Sequence, residues 1–258
     1  MPGRKIRYEE KTTISVRTEI RSDMNRMQAI PSHPTDETFE AWNEQMSRKY
    51  NPDHYHKSRN PLLRLIEGRR TRAIIRSLSI KPDDRVLDIG CGAGNMLSLI
   101  RAHRTGVDLS DTMLIRAKAN LSESVTLRKM SADRLDFPDH SFDKIICSEV
   151  IEHVLHPRTV LQEISRVLTP DGLAAVSIPN EALIEKTKSI LQHSGLSILM
   201  KNKGHTNLDD VENEWHLHRG SRPLFEEWNG GILRILRVIP VPFVWAPFRY
   251  VFLLRKTK

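Results

Sequence analysis

Between Arg85 and Pro179 the chain alternates short, almost continuously apolar runs with helical stretches, and that alternation leaves few folds open to it. Apolar runs fall at Arg85–Ile89, Thr105–Asp108, Val125–Met130, Phe142–Ser148 and Leu173–Ile178. The segments between them predict helices beginning at Asn95–Arg101 and covering Asp111–Asn120 and Pro157–Leu168. Strands that are apolar on both faces belong in a parallel sheet covered by helices on both sides. Right-handed crossovers wind such a sheet into a Rossmann-like, doubly wound α/β architecture. Upstream, helices are predicted over Thr38–Tyr50 and Asn60–Leu78, with Lys81-Pro82-Asp83-Asp84 breaking the chain before the first strand. Downstream, Glu181–His193 and Pro223–Leu236 read as helices and Tyr250–Leu254 as a last strand.

Composition narrows the setting. At 258 residues, with 39% hydrophobic and 28% charged residues, the chain suits one globular α/β domain. Two cysteines, Cys91 and Cys147, make no disulfide framework and suit a reducing compartment. The first residues mix Arg4, Lys5, Arg7 and Lys11 with Glu9 and Glu10 and lack the apolar run of a secretory signal. No uncharged apolar run reaches the ~18 residues of a spanning helix, so the expected location is cytoplasmic, with peripheral membrane contact left open. The balance of 40 Lys+Arg against 32 Asp+Glu, net +8, is compatible with nucleic acid, an anionic membrane or a phosphorylated substrate. It chooses none of them.

The first apolar run, Val86-Leu87-Asp88-Ile89, enters a G-x-G-x-G turn at Gly90-Cys91-Gly92-Ala93-Gly94. Glycines there let the backbone turn tightly and approach a ligand closely. Asp88 changes what that ligand is, because a carboxylate repels a pyrophosphate and attracts an ammonium. Twenty residues on, Asp108 in Gly106-Val107-Asp108-Leu109-Ser110 ends the second strand, where a carboxylate can accept both hydroxyls of a ribose. Ser131-Ala132-Asp133 follows the third strand, and its acid is read either as a partner for an adenine amine or as a turn former.

Taken together, Val86–Gly94, Gly106–Ser110, Ala132-Asp133 and Phe142–Val154 resemble the successive motifs of class I S-adenosylmethionine-dependent methyltransferases of the type 11-like kind. The resemblance covers roughly Leu62 to Asn180. It implies a mostly parallel seven-stranded sheet and a cofactor site of Asp88, Gly90, Cys91, Gly92, Asp108, Leu109, Ala132, Asp133 and Ser148. Residues 1–35, polar and without clear periodicity, are read as a flexible arm, followed by N-terminal helices or a lid at 36–80, the S-adenosylmethionine-binding core at 81–180, and a C-terminal part of the same domain at 181–258. That last part would form the acceptor pocket and the final strand.

Methyl transfer from a sulfonium is an in-line displacement that needs chiefly an aligned acceptor. The expected catalytic pair is Glu149 and His153, just past the fourth strand; His153 is either a base or a loop-fixing residue at a helix start. Glu149, Glu152 and His153 also resemble the metal-binding motif of 3-demethylubiquinone O-methyltransferases. Small-RNA 2′-O-methyltransferases add a later histidine, for which His216 or His218 is the counterpart. Such a cluster would hold a divalent ion such as Mg, but many methyltransferases without a metal carry a similar Glu-His-Val stretch, so both readings stay open. Tyr50, Tyr55 and His56 are lid candidates, Trp215–Arg219 is an acceptor segment or an exposed loop, and Ile232–Tyr250 is either the sheet's end or a lipid-contacting stretch. The expected function is methyl transfer to an O or N acceptor on a small molecule, apolar or prenylated ones included. An RNA methyltransferase and a non-catalytic scaffold are the alternatives. Neither the acceptor nor the oligomeric state is legible.

Overall fold

A computed structural model describes residues 33–50, 60–193 and 215–257. The arm up to residue 32 and the lid candidates Tyr55 and His56 lie outside them. Within the described residues the chain forms α1 (Phe39–Lys49), α2 (Pro61–Leu78), β1 (Arg85–Ile89), β2 (His103–Asp108), α3 (Asp111–Asn120), β3 (Thr126–Lys129) and β4 (Phe142–Ser148). Next along the chain come α4 (Pro157–Val167), β5 (Leu168–Pro179), α5 (Glu181–His193), α6 (Arg222–Asn229), β6 (Leu233–Phe243) and β7 (Ala246–Lys256). The seven strands make one sheet in the order β3-β2-β1-β4-β5-β7-β6. All pairs from β3 to β5 are parallel, and β7 runs antiparallel to both its neighbours.

Burial follows the position of each strand. Leu87, Ile89, Ile145, Ile146, Ala174 and Val176 on the three central strands are inaccessible to solvent. The amphipathic α4 buries Val160, Leu161, Ile164 and Val167 along one stripe against this sheet. On the other face α2 packs Ile74 and Leu78 against Val86, Ile146, Val241 and Val251. Its start is set by Asn60, whose Oδ1 accepts from the Leu62 amide at 2.9 Å, with Pro61 in the first turn.

Three expectations are corrected. The helix begun at Asn95 is only a 3₁₀ turn, Leu97–Leu99, because the glycine turn uses up the start of a crossover that must already re-enter the sheet at His103. The helix expected over Pro223–Leu236 stops at Asn229, where Gly230 and Gly231 both take positive φ, of 43° and 84°. Beyond these glycines the chain becomes the unforeseen edge strand β6, and the final strand is longer at both ends than Tyr250–Leu254. Ile232–Tyr250 is thus the outer hairpin of the sheet. Both cysteines are free and buried, and no helix among the described residues is long and apolar enough to cross a membrane.

Candidate active site

The sheet order reverses between β1 and β4, and loops leaving their carboxyl ends diverge to open a crevice. A cavity of about 250 Å³ occupies that point. Gly90 takes φ of 66°, and a Cβ on it would lie 2.4 Å from Val150 Cγ2, so the turn after β1 fits against the loop after β4 only as glycine. Gly92, with φ of 52°, faces open space where its side chain would be, which leaves its backbone accessible to a ligand.

Asp88, next to last in β1, is 3% exposed; burial, and then the neighbouring Asp108, push its carboxyl up to about 8. Asp108 Oδ2 accepts from the Gly92 amide at 2.8 Å and Oδ1 from the Ser110 amide at 2.9 Å. Each oxygen keeps a second lone-pair site for a hydroxyl. Burial raises Asp108 to about 6 despite these amides. A buried and a half-buried acid with unused accepting capacity, beside an open glycine backbone, fit a ligand carrying an ammonium and a diol. Cys91, Leu109, Ala132 and Ser148 line the same cavity. Asp133 does not: it lines an adjoining cavity with Asp36, Leu109 and Arg134, its Oδ1 taking the Ser131 hydroxyl at 2.5 Å. That bond is the turn-forming reading of this residue.

At the β4 end, Glu149 adopts φ of 55°, a left-handed turn rare for a residue with a side chain. It is over-determined by its contacts: Ser177 donates to Oε1 at 2.8 Å, while Arg249 Nε and Arg70 Nη1 lie 2.5 and 3.4 Å from Oε2. Burial alone would raise this carboxyl, but the two guanidiniums hold it below the ordinary value. Glu149 is therefore engaged as a counter-ion. This counts against its expected part as a base or metal ligand.

The turn swings Ile151–His153 over the cavity. His153 and His216 come together there with Glu152, their ligand-type atoms all within 4.8 Å of one another. Glu152 is fully buried, and neither of its oxygens has a hydrogen-bond partner. Burial, then Glu149, hold its carboxyl well above the usual range. His153 Nδ1 lies 3.1 Å from the Trp215 carbonyl, which only accepts, so Nδ1 carries the proton and Nε2 keeps its lone pair. His216 Nδ1 likewise donates to Glu181 at 2.6 Å. A carboxylate behind the imidazole is the usual support of a metal-binding histidine. Burial and then His216 push His153 down to about 3, which keeps it neutral and removes most of the basicity expected of it. Of the two candidate counterparts, His216 faces the cavity, whereas His218 bonds the Val154 carbonyl at 2.9 Å.

Trp215–Arg219 is a docked segment, not an exposed loop: the amides of Leu217 and His218 both reach the Glu152 carbonyl, at 3.0 and 3.2 Å. Tyr50 is buried and stacks on Trp215 at 6.1 Å, and Trp215 in turn packs on His153. Sequence reasoning missed Glu67, Arg70, Asn43, Ser47 and Arg249, all of which line the cavity. It also missed Glu44, which clamps α1 to the start of α3 through Ser110 and Thr112 at 2.6 and 2.5 Å.

Residues 87–176 match the family model described as Methyltransferase domain. Over 112 residues the chain is 37% identical to the Ubiquinone biosynthesis O-methyltransferase of Bradyrhizobium diazoefficiens, covering 41% of this chain and 44% of that protein. Over 96 residues it is 38% identical to the Phosphatidylethanolamine N-methyltransferase of Cereibacter sphaeroides, covering 34% of this chain and 47% of that one. The aligned stretch thus spans less than half of each curated relative. The fold is similar to that of the Burkholderia thailandensis 1,6-didemethyltoxoflavin-N1-methyltransferase, solved with 1,6-didemethyltoxoflavin and S-adenosylhomocysteine, with a TM-score of 0.58 at 19% identity over 88% of this chain and 92% of that one. From β1 into β5 the chain thus carries a methyltransferase domain, and with β7 antiparallel between β5 and β6 in its sheet it is similar to the class I S-adenosylmethionine-dependent methyltransferases.

Proposed function

We propose that this protein methylates a hydroxyl oxygen on a small, largely apolar molecule, using S-adenosylmethionine as methyl donor. The observation that carries the oxygen assignment is the buried, unpartnered carboxyl of Glu152 between two imidazoles that each keep a free nitrogen. An amine can attack a sulfonium methyl as a neutral nucleophile. A hydroxyl gains from losing its proton, and that is what this cluster is suited to promote. The curated relatives include both O- and N-methyltransferases by name, so the choice rests on the cluster.

Asp88 would take the donor's ammonium and Asp108 its ribose hydroxyls, while Gly90 and Gly92 admit its methionine part. Leu109 and Ala132 would cover the adenine, and Asp133 is the least well placed of the set. Ser148, bonded to Ser177 at 3.0 Å, would lie near the transferred methyl. Glu152, His153 and His216 would hold a divalent ion, which supplies the acidification of a bound hydroxyl. Two imidazoles favour Zn or Fe over Mg. Glu181 and the Trp215 carbonyl orient the rings, and Arg249 and Arg70 keep Glu149 ionised beside them.

Titration with S-adenosylmethionine and S-adenosylhomocysteine, with and without chelator, tests the donor site; micromolar affinity is expected, and no binding would put the scaffold alternative ahead. Methyl-labelled donor with phenolic acceptors then tests the chemistry. Glu152→Gln should keep S-adenosylhomocysteine affinity while losing retained metal and at least about tenfold in transfer, the lower end for a lost coordination partner. Undiminished transfer by chelated wild-type protein would overturn the metal-assisted reading.

A further inference from the structure

The hairpin tip joining β6 to β7 leaves Val244 and Trp245 each 81% exposed. Trp245 is not a loose surface residue. Its ring stacks on Phe243 at 4.9 Å and 3°, and the Arg69 guanidinium lies 4.7 Å from the Phe243 ring centre. Arg69 also donates to the Pro242 carbonyl at 3.2 Å, so the tip is fastened to α2. On α2, Leu62, Leu65 and Arg69 follow a helical spacing that puts them on one face. Leu62 is 47% and Leu65 38% exposed. Aliphatic and aromatic groups therefore stand in solvent on either side of the arginine that joins the two elements.

The charge around them has one sign. Glu67, the sole acid of α2, is buried and bonded to Arg70 at 2.5 Å, while Arg64, Arg69, Arg72 and Arg76 are exposed. β6 and β7 contain no acidic residue and carry Arg234, Arg237, Arg255 and Lys256 besides the Arg249 that serves Glu149. Among the described residues, no carboxylate pairs with the exposed arginines of α2.

We propose that the hairpin tip and the first half of α2 form a docking surface for an anionic lipid bilayer. Tryptophan with aliphatic neighbours suits the boundary between headgroups and acyl chains, and the arginines suit anionic headgroups. A nucleic acid would use the same charge, but it would ask for free aromatic faces. Here one face of Trp245 is taken by Phe243, and Leu62, Leu65 and Val244 offer no stacking. The proposal goes beyond the function above and stands without it. It also places the membrane beside the helix whose Glu67 and Arg70 line the active cavity, a route for an apolar acceptor.

Co-sedimentation of the full chain with vesicles of phosphatidylcholine, alone or mixed with phosphatidylglycerol, tests this. Binding is expected to the anionic vesicles, weakening as salt rises. The double variant Val244→Ser, Trp245→Ser should lose about tenfold or more of that binding, as expected for removing the buried apolar anchor. Arg64→Glu with Arg72→Glu should weaken it separately. Unchanged melting temperature and S-adenosylhomocysteine affinity in these variants would show that the fold and donor site are intact, so failure here is distinct from failure of the methyl-transfer reading. Wild-type binding by the tip variant, indifference to phosphatidylglycerol, or loss of binding to an RNA oligomer without any vesicle binding would each overturn the proposal.

Discussion

In the proposed donor site, recognition would turn on the buried Asp88 and the half-buried Asp108, and their setting makes testable demands. Asp108→Ala removes an acceptor for two hydroxyls, and charged hydrogen bonds of this kind are worth roughly 1.5–3 kcal/mol each. S-adenosylhomocysteine affinity should fall by at least about 100-fold, measured by calorimetry. Asp88 carries a pH signature. Its folded value, about 8, lies above its ordinary value of 3.8, so the folded state holds a proton that the unfolded chain releases earlier. For a raised acid the contribution to stability is present at low pH and is lost as pH rises from about 4 towards 8. Above about pH 6, the value of Asp108, and up to about pH 8, the unliganded protein should melt at progressively lower temperature on account of Asp88. An arriving ammonium favours the ionised acid, so the melting gain from bound S-adenosylhomocysteine should grow over the same interval. Asp88→Asn should flatten both slopes; unchanged slopes would mean that another group governs them.

At the scale of elements, the turn after β1 and the loop after β4 hold one another. Gly90→Val forces a side chain into Val150 from a left-handed φ and should cost about 1–3 kcal/mol. That is a melting decrease of several degrees for a domain of this size, with loss of donor binding. These same elements were the most legible in sequence. Strands such as Ile145–Cys147, buried on both faces, must be written as apolar runs, and Gly90, Gly92, Asp88 and Asp108 are local consequences of a single turn and the strand after it. β6 was illegible for the opposite reason. As an edge strand it tolerates Pro240, Pro242, Arg234 and Arg237, which erase the alternating signal, and its approach resembles a continuing helix until Gly230-Gly231. The Glu149 ion pairs were hidden too, since Arg70 and Arg249 reach it from distant parts of the chain and leave no spacing to read.

For the whole molecule, the sheet is two halves joined at β5: a parallel half bearing the residues of the proposed donor site, and an antiparallel half in which β7 lies between β5 and β6. Phe252 on β7 is fully buried and stacks on Phe225 of α6 at 3.9 Å, tying the second half to its covering helix. Phe252→Ala should cost about 3–5 kcal/mol, read in urea as a lower midpoint at unchanged slope. A second, separate transition would show instead that the halves unfold independently. The position of β7 also has a consequence in time. Of the described strands it is the last to be synthesised, yet it fills an interior place and brings Arg249 to Glu149. A nascent chain with β1 to β5 already complete still exposes the flank of β5 and still lacks that counter-ion. Folding before β7 emerges can therefore yield only an incomplete proposed site with an open, aggregation-prone edge, and completion of the sheet and of that site become the same late event.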